Sequence, residues 1–87
     1  MRIEFERNAL KDLDKLGTAE ARRVLAFLHG RVAVLDDPRG IGGPLRGSLS
    51  GLWKYRVGHY RIIAEIQDER LVILVVRIGH RSRIYSG

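Results

Sequence analysis

The sequence contains no cysteine. That excludes a disulfide framework and any thiolate metal site. No apolar run approaches the roughly 20 residues that span a bilayer. The opening Met1-Arg2-Ile3-Glu4-Phe5-Glu6 alternates charged and apolar residues where a secretory leader would carry an apolar core. A cytoplasmic protein with no membrane partner is the simplest reading. Internal repeats and a second domain are also missing, so the 87 residues are expected to form one domain, 1–87, around a single modest core. Acid is scarce as well: 10 Asp and Glu stand against 16 Lys and Arg, a formal net charge of +6.

The shortage of acid is uneven. Residues 1–38 hold seven basic and seven acidic side chains, whereas residues 39–87 hold nine and three. The whole net charge therefore belongs to the second half. A basic surface confined to one part of a fold is the electrostatic footprint of a polyanion site, although small basic proteins also occur that bind nothing of the kind.

Arg2 to Phe5 alternates polar and apolar residues, with Ile3 and Phe5 on one face, and predicts a short strand at a sheet margin. Asn8 is placed to cap a helix whose apolar positions are Ala9, Leu10, Leu13 and Leu16, and Gly17 is placed to end it. Thr18 is placed to cap a second helix. There Ala21, Val24, Leu25, Leu28, Val32 and Leu35 recur at three- and four-residue steps, a stripe about five turns long. Gly30 marks a kink or a close contact within it, and Asp36-Asp37-Pro38 stops it. The first half thus reads as a helical hairpin whose apolar stripe covers a sheet and whose charges form a solvated face. Residues 39–50 hold Gly40, Gly42, Gly43 and Gly47 around Pro44 and read as a long loop, with Arg46 a candidate for the basic face.

The second half reads as three strands. Gly58-His59 suits a two-residue hairpin loop of type II′, with glycine at the first central position. That loop sets Val57 opposite Tyr60 and Arg56 opposite Arg61. Residues two apart share a face, so Lys54, Arg56 and Arg61 crowd one side while Trp53, Tyr55, Tyr60 and Ile62 take the other. Like charges directly opposed across strands destabilise a sheet, so the arrangement calls for an anion. Beyond Ile66, Gln67-Asp68-Glu69-Arg70 turns the chain. Leu71 to Ile78 is nearly all apolar, as in a strand with little solvent contact on either face, and Gly79 is read as its end. The expected fold is α+β: a helical hairpin packed on a mostly antiparallel four-stranded sheet, in the order β-α-α-β-β-β.

Several chemistries lack their parts. Of the three histidines, His29 lies on the long helix as a surface residue, His59 sits in a turn, and no pair that includes His80 has ligand spacing. No serine is set beside a histidine and an acid. The glycines at 40–43 precede Pro44 and a strand, so they form no phosphate loop at a helix. No metal and no cofactor is expected. What remains is Lys54, Arg56 and Arg61, with Arg81 past the strand end and Arg83 and Tyr85 in the tail. Arginine offers phosphate a planar fork of donors, and lysine a compact charge whose pKa falls when it is buried or crowded. An aromatic such as Tyr85 can stack on a base. These are parts for phosphodiester cleavage by the ribose 2′-hydroxyl. Each has a plainer reading too: Lys54 and Arg56 fit solvated charges that discourage strand association, and Tyr85 fits simple packing.

Over essentially its whole length the chain resembles the RelE/ParE toxin superfamily, the toxin halves of type II toxin–antitoxin pairs. The likeness lies in the order of elements, in Leu45-Arg46-Gly47, in the run Gly51 to Arg61, and in Ile78-Gly79-His80-Arg81 with a closing Ile84-Tyr85. In the RelE branch, the resemblance implies a ribosome-dependent endoribonuclease that cleaves messenger RNA in the A site without metal and so inhibits translation. Lys54 then matches a general base, Arg61 the arginine that stabilises the phosphate, Arg81 a general acid, and Tyr85 a tyrosine that orients a base. Arg56, Arg46, His80 and Arg83 are the accompanying substrate-binding candidates. The implied partners are a RelB-like antitoxin, the ribosome with its messenger RNA, and operator DNA only through the antitoxin complex. The ParE branch instead implies a DNA gyrase poison. A third possibility is a degenerate toxin that only binds antitoxin and operator.

Overall fold

A computed structural model describes residues 1–80; the tail positions Arg81, Arg83 and Tyr85 lie outside the described residues. Strand β1 spans Arg2–Phe5, helix α1 Arg7–Leu16 and helix α2 Thr18–Phe27, which runs into a π turn at Leu28–Val32. Strands β2 (Gly43–Pro44), β3 (Trp53–Val57), β4 (Tyr60–Gln67) and β5 (Val72–His80) follow. They join β1 in one sheet of order β1-β5-β4-β3-β2, in which only β1 and β5 are parallel. Ala9, Val24, Leu28 and Val32 of the helices close over Tyr55, Ile62, Ala64, Ile73, Val75 and Ile78 of the sheet.

The sheet has one strand more than the sequence predicts. Gly43-Pro44 carries no strand signal, since both residue types are poor strand formers and proline has no N–H to give the ladder. An edge position tolerates this. The pairing is fixed by a close approach at Gly42, whose φ is +81° and where a Cβ would run into the Lys54 carbonyl oxygen.

Helix α1 begins at Arg7, with Glu6 rather than Asn8 in the cap position. Its inward face is Ala9, Asp12, Leu13 and Leu16, while Leu10 is 50% exposed. An acid in place of a leucine on that face has a specific cause. Strand β1 stops at Phe5, opposite Val75, and after the Glu6 N–H bond to the Val75 carbonyl the chain turns into α1, leaving the β5 residues past Val75 without a β1 partner. A buried N–H left without an acceptor is costly. The Asp12 carboxylate accepts from the Ile78 N–H and from Arg77 Nε, both at 2.9 Å, and is itself only 9% exposed. The charges of the first half are therefore not all on a solvated face.

The second helical stripe is shorter than five turns. The chain switches to π geometry at Leu28–Val32, a segment that contains the expected irregularity at Gly30. Leu28 and Val32 stay fully buried, and Leu35 falls beyond the helix. Thr18 is the first helical residue, and Gly17, at φ +84°, both ends α1 and precedes α2.

Strand β5 meets the two-sided burial expected of it where β1 and β4 flank it: Val72, Ile73 and Val75 have no exposure. Gly79 does not end the strand, which continues to His80 opposite Tyr60. A bulge beside Ile63 and Ala64 leaves Val76 outside the pairing. The β4–β5 connection is a single 3-10 turn at Asp68–Arg70, closed by Leu71 at φ +55°. Arg39 clamps this turn with two bonds to the Asp68 carboxylate, at 3.0 and 2.9 Å, and thereby holds that acid below the usual carboxylate range.

Tyr55 ties the loop after the helices to the core. It is 1% exposed, packs edge-on to Phe27 with centroids 6.2 Å apart, and donates its hydroxyl to the Pro38 carbonyl at 2.6 Å. Burial pushes this phenol up to about 12 from its ordinary 10.0. The unfolded chain ionises first, so the stability this group contributes is complete below pH 10 and is lost as the pH rises towards 12. Tyr55→Phe is expected to cost about 1–2 kcal/mol in denaturant unfolding and to remove a tyrosinate absorbance component with a midpoint near 12; an unchanged titration would contradict the assignment. Leu71, 64% exposed in a left-handed conformation, gains nothing from its side chain there. Leu71→Asn is expected to raise stability by about 1 kcal/mol, and a lower unfolding midpoint would refute the strain.

Candidate functional site

The β3–β4 hairpin forms as its residues dictate. Gly58 has φ +58° while His59 stays out of the left-handed region, as a II′ loop requires. The register sets Arg56 opposite Arg61 and Val57 opposite Tyr60. Tyr55, Val57 and Ile62 are buried, Arg56 is exposed, and Lys54 and Arg61 are half-buried. The predicted division between an apolar and a cationic face is therefore present.

A cleft of about 200 Å³ opens on the cationic face, lined by Gly42, Gly43, Lys54, Tyr55, Arg56 and Arg61. Pairing explains the space. Lys54 has Gly43 as one cross-strand neighbour, and Arg61 has Gly79 as one of its two. Glycines beside two long cations leave room that side chains would fill. The sequence reading took Gly42, Gly43 and Gly79 as loop residues and a strand end. The Gly-Gly pair just ahead of a proline was the available signal, but only the close approach at Gly42 explains it.

Charge balance separates Lys54 and Arg56 from three arginines elsewhere on the surface. Arg39, Arg70 and Arg77 are paired with Asp68, Glu4 and Asp12. Among the described residues, Lys54 and Arg56 enter no ion pair, and no acid lines the cleft. Two unit charges about 5 Å apart repel by about 3 kcal/mol at the effective dielectric of a protein surface. A phosphate between them would turn that repulsion into attraction. A larger recess of about 700 Å³ lies at residues 50–52 and 65–70. It carries Glu65, Asp68 and Glu69, the wrong sign for a phosphate, and Asp68 is already committed to Arg39.

The remaining candidates fall elsewhere. Arg46 is exposed ahead of a 3-10 turn at Gly47–Leu49 and does not line the cleft. His80 sits at the end of β5, its ring stacked on His59 at 6.0 Å and 13° and edge-on to Tyr60 at 6.0 Å. The sequence reading kept His59 and His80 apart; the β4–β5 register brings them together. Among the described residues no three ligating side chains converge. Arg81 follows His80 directly in sequence, and with Arg83 and Tyr85 it lies outside the described residues.

Residues 3–85 match the family model described as the ParE toxin of the type II toxin–antitoxin system, parDE. The toxin RelG of Mycobacterium tuberculosis is 34% identical over 83 residues, covering 95% of this chain and 93% of that protein. The mRNA interferase toxin RelE of Escherichia coli is 33% identical over 87 residues, covering 97% and 88%. The toxin–antitoxin complex RelBE2 of M. tuberculosis superimposes with a TM-score of 0.83 at 32% identity, covering 93% of this chain and 91% of the other. For the intact E. coli RelBE complex the TM-score is 0.73 at 28% identity, with 94% and 98% covered. With that fold, that cationic hairpin and these relatives, the chain belongs to the RelE/ParE toxin family of type II toxin–antitoxin systems, in its RelE-like branch.

Proposed function

We propose that this protein is a ribosome-dependent endoribonuclease that cuts messenger RNA in the A site, without metal or cofactor, and so arrests translation. The observation that carries the reading is the cleft in which Lys54, Arg56 and Arg61 converge, with no acid among its described lining residues. The E. coli relative named an mRNA interferase supports it. In the reaction, a ribose 2′-oxygen attacks the adjacent phosphorus and gives its proton to the Lys54 amine. Arg61, with Arg56 beside it, donates hydrogen bonds to the phosphoryl oxygens as negative charge grows on them. The bond from phosphorus to the 5′-oxygen breaks, and Arg81 returns a proton to that oxygen. The products are a 2′,3′-cyclic phosphate and a 5′-hydroxyl. Tyr85 orients a base by stacking, and His80 and Arg83 hold the flanking RNA. Arg46, away from the cleft, takes no part in the chemistry.

The same face suits control by a partner. Solved relatives include complexes of RelE toxins with RelB antitoxins, and the proposed partner is a RelB-like chain whose acidic or amphipathic segment covers the cations. Operator DNA is reached only through that complex. A second reading, poisoning of DNA gyrase, draws on the ParE description of the matching family model.

Incubation with ribosomes programmed with a defined messenger is expected to give a cut within the A-site codon bearing a cyclic phosphate end. Arg61→Ala is expected to slow it at least about 100-fold, and Lys54→Ala by about 10²–10⁴-fold. Intact messenger in the presence of the unaltered protein, together with loss of gyrase supercoiling, would reverse the assignment in favour of the second reading.

A further inference from the structure

The hairpin tip carries a second, separate cationic group. A Cβ built on Gly58 would lie 3.1 Å from Cζ and Nη1 of Arg23 and 3.2 Å from Nη2. Three nearly equal distances mean that the guanidinium of this α2 residue lies flat over the glycine. Among the described residues Arg23 enters no ion pair and no side-chain hydrogen bond. His59, next in the turn, is exposed and stacked on His80. Seating an unneutralised guanidinium on the tip of a hairpin that already carries Arg56 and Arg61 does not help the fold, because like charges raise its energy. A planar donor fork held against backbone is, however, well prepared to receive a tetrahedral anion.

Spacing suggests which anion. Gly58 lies two residues beyond Arg56, about 7 Å along a strand, which is close to one nucleotide step of an extended single strand. We propose that Arg23 and His59 form a second phosphate site, which holds the phosphate next to the one bound by Lys54, Arg56 and Arg61. The inference rests on the reading of the cleft as an RNA site and adds a path to it: the strand leaves the cleft across the hairpin tip toward α2. A carboxylate from a protein partner would also be attracted to Arg23, but a polynucleotide alone supplies anions at a fixed repeat.

Fluorescence anisotropy with 2′-O-methyl RNA, which binds but cannot be cleaved by 2′-attack, tests the site on the full chain. For a hexanucleotide, Arg23→Gln is expected to weaken binding and to reduce the slope of log affinity against log salt by about 0.7, the contribution of one contact to single-stranded nucleic acid. For a dinucleotide with a single phosphate, the two proteins are expected to bind alike. Arg23→Lys keeps the charge and is expected to restore the hexanucleotide slope, which separates loss of the contact from loss of fold. Equal hexanucleotide slopes for wild type and Arg23→Gln, or a slope that Arg23→Lys fails to restore, would overturn the second site and leave the cleft standing. If the wild-type protein binds neither oligonucleotide, the cleft reading falls, and this inference falls with it.

Discussion

Two arginines forced side by side are the constraint from which the rest of this structure follows. Nothing in the Arg56–Arg61 pairing favours itself; the residues on the opposite face impose it. Tyr55, Val57 and Ile62 are each buried against the helices, and burying side chains of that size gains about 1.5–3 kcal/mol apiece. A slip of one residue would turn all three to solvent. Their sum exceeds the few kcal/mol of repulsion between two surface cations, so packing wins and the charges stay opposed. The sheet thus holds a cationic face, and among the described residues no acid lines its cleft.

The surroundings preserve this arrangement from three sides. Gly42 and Gly43 bring an edge of backbone beside Lys54 without filling the space above it. Asp12 reaches from α1 to satisfy β5 where β1 no longer runs alongside it, and this lets β5 continue to His80, level with the hairpin tip. Arg39 and Asp68 neutralise each other at the far turn, and the larger recess there carries Glu65 and Glu69.

Much of this was legible in the sequence, and for identifiable reasons. The hairpin register followed from Gly58 and from strict alternation about it, because both are local rules. The helical pair and the buried β5 followed from periodicity. What escaped depended on contacts between distant segments. Asp12 reads as an ordinary surface acid until the end of β1 leaves Ile78 without a partner. Leu10 fits the helical stripe, yet the helix is rotated to bury Asp12 instead. Gly43-Pro44 has no strand propensity and pairs only because Gly42 permits close approach. Arg23 was one charge among many on α2 until the fold laid it over Gly58. The placement of Lys54, Arg56 and Arg61 on one face followed from the hairpin register, while the roles assigned to them, and to Arg81, Arg83 and Tyr85, rest on resemblance.

If the opposed arginines exist for an anion, stability and binding must move in opposite directions when one is removed. Thermal unfolding of Arg56→Gln, with and without a nucleoside 3′,5′-bisphosphate, measures both at once. Arg56 is exposed, and Gln keeps the side-chain bulk without the charge. The account predicts that the variant unfolds at a higher temperature than the wild type in the absence of ligand, and that the ligand-dependent rise seen in the wild type shrinks or disappears. A variant that is less stable without ligand, yet gains as much as the wild type on adding it, would contradict the account.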